Sequence, residues 1–322
     1  MKKLYDTEAV RTLQPILHYI LNDKRPTNNP QHCKDFTVAL LNTLNISHVG
    51  DIHGNITVDM GGDTCFTSHT DTVNNKLGEN ALVLDSKGLL RVEGGGVLGA
   101  DDGAGMYVMI RMILAGKSGL YVFFATEEQG RIGSTSYTMP DHIKKCVSFD
   151  RKGYDNLITH QMTEEGCSVA FADAFIAQFD LPYKKDPTGS FTDSYTFFET
   201  VSECINLSVG YFDQHTKNES LDVVFLEKLV DACISMDWES LPAKRDPQVY
   251  RFTVDYKYGK TDWGNKSYGD WGNYGAYKHK HFSESMEDYV YDHPEIVAAY
   301  LEDIGVEISE LKIYGRAFDA EV

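Results

Sequence analysis

The sequence contains no apolar run approaching the roughly 20 residues that a membrane-spanning helix needs, no Cys-x-x-Cys pair, and too few basic residues to balance its acidic ones. Behind the two lysines of the opening MKKLYDTEAV there is no apolar segment of signal-peptide type. A soluble, cytoplasmic protein is therefore expected. The six cysteines (Cys33, Cys65, Cys146, Cys167, Cys204 and Cys233) are widely scattered. That scatter argues against a thiolate zinc site or a disulfide framework and points to free, buried thiols. With 30 Lys and Arg against 48 Asp and Glu, the formal charge of −18 repels phosphate backbones and anionic lipid headgroups. Neither nucleic acid nor a membrane is expected as a partner.

What is present is the composition of a globular protein: 322 residues, 42% hydrophobic, with 19 Tyr and 16 Phe. That length accommodates one large α/β domain and a smaller appendage. Apolar residues at helical spacing run from Asp6 to about Asn22 and again from about Gln31 to Leu44. Short β-like runs flank His53-Gly54, and an apolar strand leads into TCFTSHTD. The segment NALVLDSKGLLRVEG reads as a hairpin turning at Ser86-Lys87-Gly88, and MYVMIRMILAG as a buried helix. Strands and helices then alternate through GLYVFFA, a helix near Ser134, CVSFD, CSVAFADAFIAQF, a helix from Ser194 to Glu199, ECINLSV, and a helix from Leu221 to about Met236. The pattern predicts a three-layer α/β sandwich with a mixed, mainly parallel central sheet.

From about Pro247 aliphatic residues give way to Tyr, Gly, Lys and Trp, and DWGNKSYG is followed at once by DWGNYGAY. Two eight-residue copies are too short for a solenoid. The expected organisation is a catalytic domain over 1–245, an irregular aromatic linker or surface loop over 246–282, and a short acidic helical element over 283–322. That last element contains HPEIVAAYLEDIG, which has proline at a first-turn position and glycine at its stop.

Chemistry-bearing residues sit directly behind the apolar runs. His69 and Asp71 follow CFTS, Asp101 follows GGVLGA, Glu127 and Glu128 follow YVFFAT, Asp150 follows CVSF, and His215 follows INLSVGYFDQ. Parallel strands deliver such residues to one edge of the sheet, where ligands collect. Several carboxylates sharing a cleft repel one another unless cations neutralise them. Imidazole together with carboxylate oxygen suits zinc first, with cobalt or manganese as alternatives. Two histidines and three carboxylates exceed the three protein ligands usual for one catalytic zinc, but suffice for two ions when one carboxylate bridges them.

The series HTDT, GADDGAG, TEEQGRIGS, the SFD strand end and the late QHT resembles, in order and spacing over about residues 1 to 240, that of the zinc-dependent aminopeptidases and carboxypeptidases. This superfamily includes tripeptide aminopeptidases, glutamate carboxypeptidase and secreted bacterial leucyl aminopeptidases. The resemblance implies two zinc ions, with His69 and Asp150 on one, Glu128 and His215 on the other, and Asp101 between them. It also implies that Asp71 orients His69 through the second ring nitrogen. Glu127 would be the general base, taking the proton of the attacking water and passing it to the leaving amine. Tyr195 and Tyr211 are candidate donors to the oxyanion.

Only 65 positions separate Asp150 from His215, too few for the lid and dimerisation domain of the tripeptidase-like members, so the compact branch is the closer analogy. The expected activity is removal of one terminal residue, the amino-terminal one favoured, from a small peptide or amino-acid conjugate. A deacylase or aminoacyl cyclase on the same scaffold, and a metal-binding interaction protein without turnover, are the alternatives. Asp102 is expected to cap the helix that follows. Thr192-Asp193 is either a support for the metal site or a helix N-cap. Thr163-Glu164-Glu165 repeats the Thr-Glu-Glu triplet, but reads as a solvated turn or helix start. Arg131 and Arg151 either grip a substrate carboxylate or pair with acidic residues. Oligomeric state and side-chain preference have no signature in the sequence.

Overall fold

A computed structural model describes residues 14–249. Two helices come first, α1 (Pro15–Asn22) and α2 (Pro30–Thr43), each with proline in its first turn, where the missing N–H costs nothing. Asn29 caps α2 by accepting the N–H of His32. β1 (Val49–Gly50) and β2 (Ile56–Asp59) form an antiparallel pair whose turn is closed by the Asp51 carboxylate on the N–H groups of His53 and Asn55. β3 (Thr64–His69) is buried along its whole length. The expected hairpin is β4 (Leu82–Leu84) with β5 (Leu89–Val92).

The chain continues through α3 (Ala100–Leu114), β6 (Leu120–Phe124), the short α4 (Ile132–Thr135) and β7 (Lys145–Arg151). β8 (Asn156–Ile158), β9 (His160–Gln161), β10 (Glu164–Glu165), α5 (Val169–Gln178) and β11 (Lys184–Asp186) follow. The described chain closes with β12 (Glu203–Ser208), β13 (Tyr211–Phe212), β14 (Ser220–Asp222) and α6 (Val223–Ser235), the last capped by the Asp222 carboxylate.

The central sheet has eight strands in the order β1-β2-β6-β3-β7-β12-β8-β11. Its middle four strands, β6, β3, β7 and β12, run parallel, while β1, β2 and β8 pair antiparallel to a neighbour. The sheet is thus mixed and mainly parallel. Strand alternation splits the core in two. Phe66, Tyr121, Val147 and Ile205 point into a large cluster with all the helices except α4. Cys65, Val122, Cys146 and Cys204 point to the other face, which is closed by Met139, Ile143, Phe197 and Phe198. That second cover is thin, and the helix expected from Ser194 to Glu199 is a 3₁₀ turn over Asp193–Phe197. Phe197 and Phe198 both pack under the sheet, so neighbouring residues are buried rather than residues one helical turn apart.

The second Thr-Glu-Glu triplet is neither a solvated turn nor a helix start. Met162 and Thr163 take left-handed φ values of 48° and 69° and make a two-residue turn between β9 and β10, which buries Glu164. All six cysteines are free and buried. Among the described residues no helix is long and apolar enough to cross a membrane. The part of the expected first helix before residue 14, the 246–282 segment beyond residue 249 with its repeat, and the expected 283–322 element lie outside the described residues.

Candidate metal centre

Because β3, β6, β7 and β12 are parallel, their carboxyl ends open on one edge, and β3, β6 and β7 each deliver part of the site there. His69 ends β3 and Asp150 lies at the end of β7. Glu127 and Glu128 begin a 3₁₀ turn just beyond β6. Thr126, with a left-handed φ of 54°, turns the chain between strand and carboxylates, a conformation costly for a β-branched residue. His215, also left-handed at 64°, lies on the loop between β13 and β14. Asp101 enters from α3, whose first residues are non-helical at Asp101 and Asp102.

These residues form two candidate ligand groups, His69 with Asp101 and Asp150, and Glu128 with His215 and the same Asp101. Within each group the offered atoms lie within 4.8 Å of one another. His69 Nε2 is 3.0 Å from Asp101 Oδ1 and 3.9 Å from Asp150 Oδ1. His215 Nε2 is 3.2 Å from Asp101 Oδ2 and 3.1 Å from Glu128 Oε1. One aspartate thus turns one oxygen to each histidine. Nitrogen and carboxylate oxygen in two sets sharing one carboxylate fit a pair of divalent ions of the zinc kind.

The electrostatics call for positive charge. Burial and the neighbouring Asp101 push the Asp150 carboxyl up to about 8. Burial also drives Glu127 well above the carboxylate range, with Asp150, Asp193 and Glu128 adding to the rise. His215 goes up to about 11, because its contacts with Asp101 and Glu128 outweigh the burial that would lower it. Cations bound at this place would supply the charge that the histidines otherwise take from protons.

The supports differ in part from the sequence reading. His69 Nδ1–H donates to the backbone carbonyl of Asp71 at 2.9 Å, which leaves Nε2 to face Asp101. The Asp71 carboxylate lies 3.6 Å from that nitrogen and also accepts the N–H groups of Glu127 at 3.0 Å and Glu128 at 3.3 Å. Asp71 therefore meets the imidazole with its main-chain carbonyl and, as a longer ion pair, its carboxylate, which also holds the main chain of the two glutamates. Asp102 caps α3 through the Gly105 N–H, and its other oxygen accepts the N–H of His69. Gly105 is obligatory here, since a Cβ would fall 2.5 Å from the Phe149 carbonyl.

Asp150 is held on every side. Its oxygens accept the hydroxyls of Thr192 at 2.6 Å and Tyr211 at 3.0 Å, and Asn206 bonds its main chain. This settles the two readings of Thr192, whose hydroxyl supports Asp150 and makes no helix cap. Tyr211 is buried and donates its hydroxyl to Asp150 at 3.0 Å. Tyr195 packs among Phe191, Phe198 and the Arg131 guanidinium, and its hydroxyl bonds Glu164. Arg131 rests on the rings of Phe191 and Tyr195 and donates to Thr196, while Arg151 faces Asp186 at 3.8 Å.

Sequence reasoning missed Asn206, Arg25 and Glu219. The buried Arg25 donates to the carbonyls of Thr70 and Gly99, one beside His69 and the other two residues before Asp101. The Glu219 carboxylate accepts the backbone N–H groups from Leu98 to Asp101. None of the three lies in a motif, and their bonds run to main-chain atoms far away in the sequence.

No family model matches the chain, and no curated protein matches it in sequence. Solved structures share its fold. Aminopeptidase PepT from Bacillus cereus superposes with a TM-score of 0.57 at 15% identity, covering 71% of this chain and 97% of its own. A tripeptidase from Staphylococcus aureus gives a TM-score of 0.58 at 13% identity over 71% of this chain and 97% of its own. An aminopeptidase from the archaeon Desulfurococcus kamchatkensis gives 0.53 at 14% identity over 70% and 94%. At such identities the likeness establishes the fold.

Proposed function

We propose that the chain is a two-metal exopeptidase that removes the amino-terminal residue of small peptides. The observation that carries the reading is the sharing of Asp101 by two histidine-containing ligand groups, with Glu127 beside Glu128 at the same strand end. The aminopeptidase and tripeptidase titles of the structures with this fold favour a free-amine peptide as substrate. His69 and Asp150 would hold one ion, Glu128 and His215 the other, and Asp101 both, with zinc the first choice for this donor set. When bound, the ions supply Lewis acidity toward the scissile carbonyl and lower the pKa of water.

The protein's own part is proton transfer and placement. Burial and, after it, the neighbouring carboxylates raise the proton affinity of Glu127, which suits a group that takes a proton from water and returns it to the leaving amine nitrogen. The Asp71 carboxylate fixes the main chain of both glutamates, so that one can face the ligands while the other faces the water.

The test is hydrolysis of a tripeptide by the zinc-loaded chain, in free-amine and N-acetylated forms, followed by release of the first amino acid. Cleavage of the free-amine peptide alone is expected, stopped by a chelator and lost in Asp101→Ala together with bound metal. Equal activity in the metal-stripped chain would overturn the two-metal reading, and cleavage of the N-acetyl form alone would make the protein a deacylase.

A further inference from the structure

Glu219 is only 1% exposed, and its carboxylate takes four consecutive backbone N–H groups. Oε2 accepts from Leu98 at 2.8 Å and Gly99 at 3.2 Å, while Oε1 accepts from Ala100 at 2.8 Å and Asp101 at 3.2 Å. Burying a carboxylate is unfavourable unless its oxygens are satisfied, and here four successive N–H groups of one loop satisfy them. Asp101 and Asp102 are non-helical, so the N–H groups ahead of them have no partners within α3. The path of this loop into the site is set from outside, by Glu219 on its N–H groups and by Arg25 on the Gly99 carbonyl.

Glu219 also lies four residues beyond His215 on the same connection, and Lys217 between them accepts the Gly96 N–H at 2.8 Å. One segment thus presents an imidazole to Asp101 Oδ2 and holds the main chain of that aspartate. We propose that Glu219 is the positioning residue of the shared aspartate: its carboxylate sets Asp101 against His215, and the two ligand groups assemble only with it in place. The assignment rests on the two-metal reading above. It adds a residue outside both ligand groups on which metal binding depends.

A second buried carboxylate provides the control. Glu203 accepts the N–H groups of Ser168, Lys244 and Arg245, a comparable cradle that holds no ligand residue. The experiment titrates the full-length metal-free chain, Glu219→Gln and Glu203→Gln with zinc, and with cobalt to read the absorption of the bound ion, with the melting temperature of each. In Glu219→Gln an amide NH₂ meets backbone N–H groups, donor against donor. Both glutamine variants are expected to melt lower, but only Glu219→Gln is expected to bind metal about 10–100-fold more weakly, with an altered cobalt spectrum. Should Glu219→Gln fail to fold, Glu219→Asp carries the same expectation, since it keeps the charge but withdraws it by one methylene.

Unchanged affinity in the folded Glu219 variant, an equal loss in Glu203→Gln, or failure of both Glu219 variants to fold while Glu203→Gln folds would each overturn the assignment. If the unaltered chain takes up no metal, the two-metal reading itself falls.

Discussion

Asn206 grips the main chain of Asp150 from both sides, its Oδ1 accepting the Asp150 N–H at 2.9 Å and its Nδ2 donating to the Asp150 carbonyl at 2.8 Å. The ladder between β7 and β12 is irregular there, with Asn206 opposite Ser148 but Ser208 opposite Arg151, so β7 carries one extra residue. A side chain from β12 replaces the backbone bonds that the bulge removes. Asn206→Ala is expected to destabilise the fold by about 1–3 kcal/mol and to weaken metal binding about 10–100-fold. Thermal melts and zinc titration check it, and an Asp150 that keeps its metal affinity in the variant would refute the positioning role.

Glu127 belongs to neither ligand group. Glu127→Gln keeps size and polarity but cannot take a proton, so metal content should match the unaltered chain while kcat falls about 10²–10⁴-fold. Loss of metal with unchanged turnover per bound ion would instead make Glu127 a ligand.

Glu164 offers a pH test away from the ligands. Burial pushes its carboxyl up to about 7, against the lowering effects of the Tyr195 hydroxyl and Arg245. A carboxyl whose folded value lies above its unfolded one contributes its full stability below the unfolded value, and that contribution is lost as pH rises through the folded one. Glu164→Gln should therefore gain on the order of 1 kcal/mol over the unaltered chain at pH 8. No gain is expected near pH 4.5. Melting curves at the two pH values read the difference as roughly 2–4 °C; equal gains at both would show that charge is not the cause.

Arg25 spans the connections that follow α1, β3 and β5. Its Nε donates to Thr70 at 2.9 Å and its Nη2 to Gly99 at 3.1 Å, while Nη1 meets the carbonyls of Ile20 and Asp23. A lysine presents one compact ammonium and cannot reach all of these carbonyls. Arg25→Lys should lose about 2–4 kcal/mol, since each buried carbonyl left without a donor costs about 1–3 kcal/mol. The urea midpoint reports it, and an unmoved midpoint would mean that water replaces the fork.

The order of elements and the chemistry of the site follow from the sequence, because both rest on local features. Apolar runs of strand length ending in His69, Glu127 and Asp150 predict a parallel sheet with the chemistry-bearing residues along one edge, and β3, β6 and β7 place these three there. Imidazole and carboxylate types narrow the kind of metal such a site would hold without any coordinates. The sequence did not show which atom of a residue does the work. Asp71 meets the second nitrogen of His69 with its carbonyl as well as, at longer range, its carboxylate, and the Tyr211 hydroxyl donates to Asp150. Nor did it show the residues that hold the ligands. Glu219 reaches the Asp101 N–H across 118 positions, Asn206 reaches Asp150 across 56, and Arg25 reaches Gly99 across 74. A bond from a side chain to a distant main-chain N–H or carbonyl depends on no residue type at its far end, so it leaves no motif or period in the sequence. Only the tertiary structure brings its two ends together.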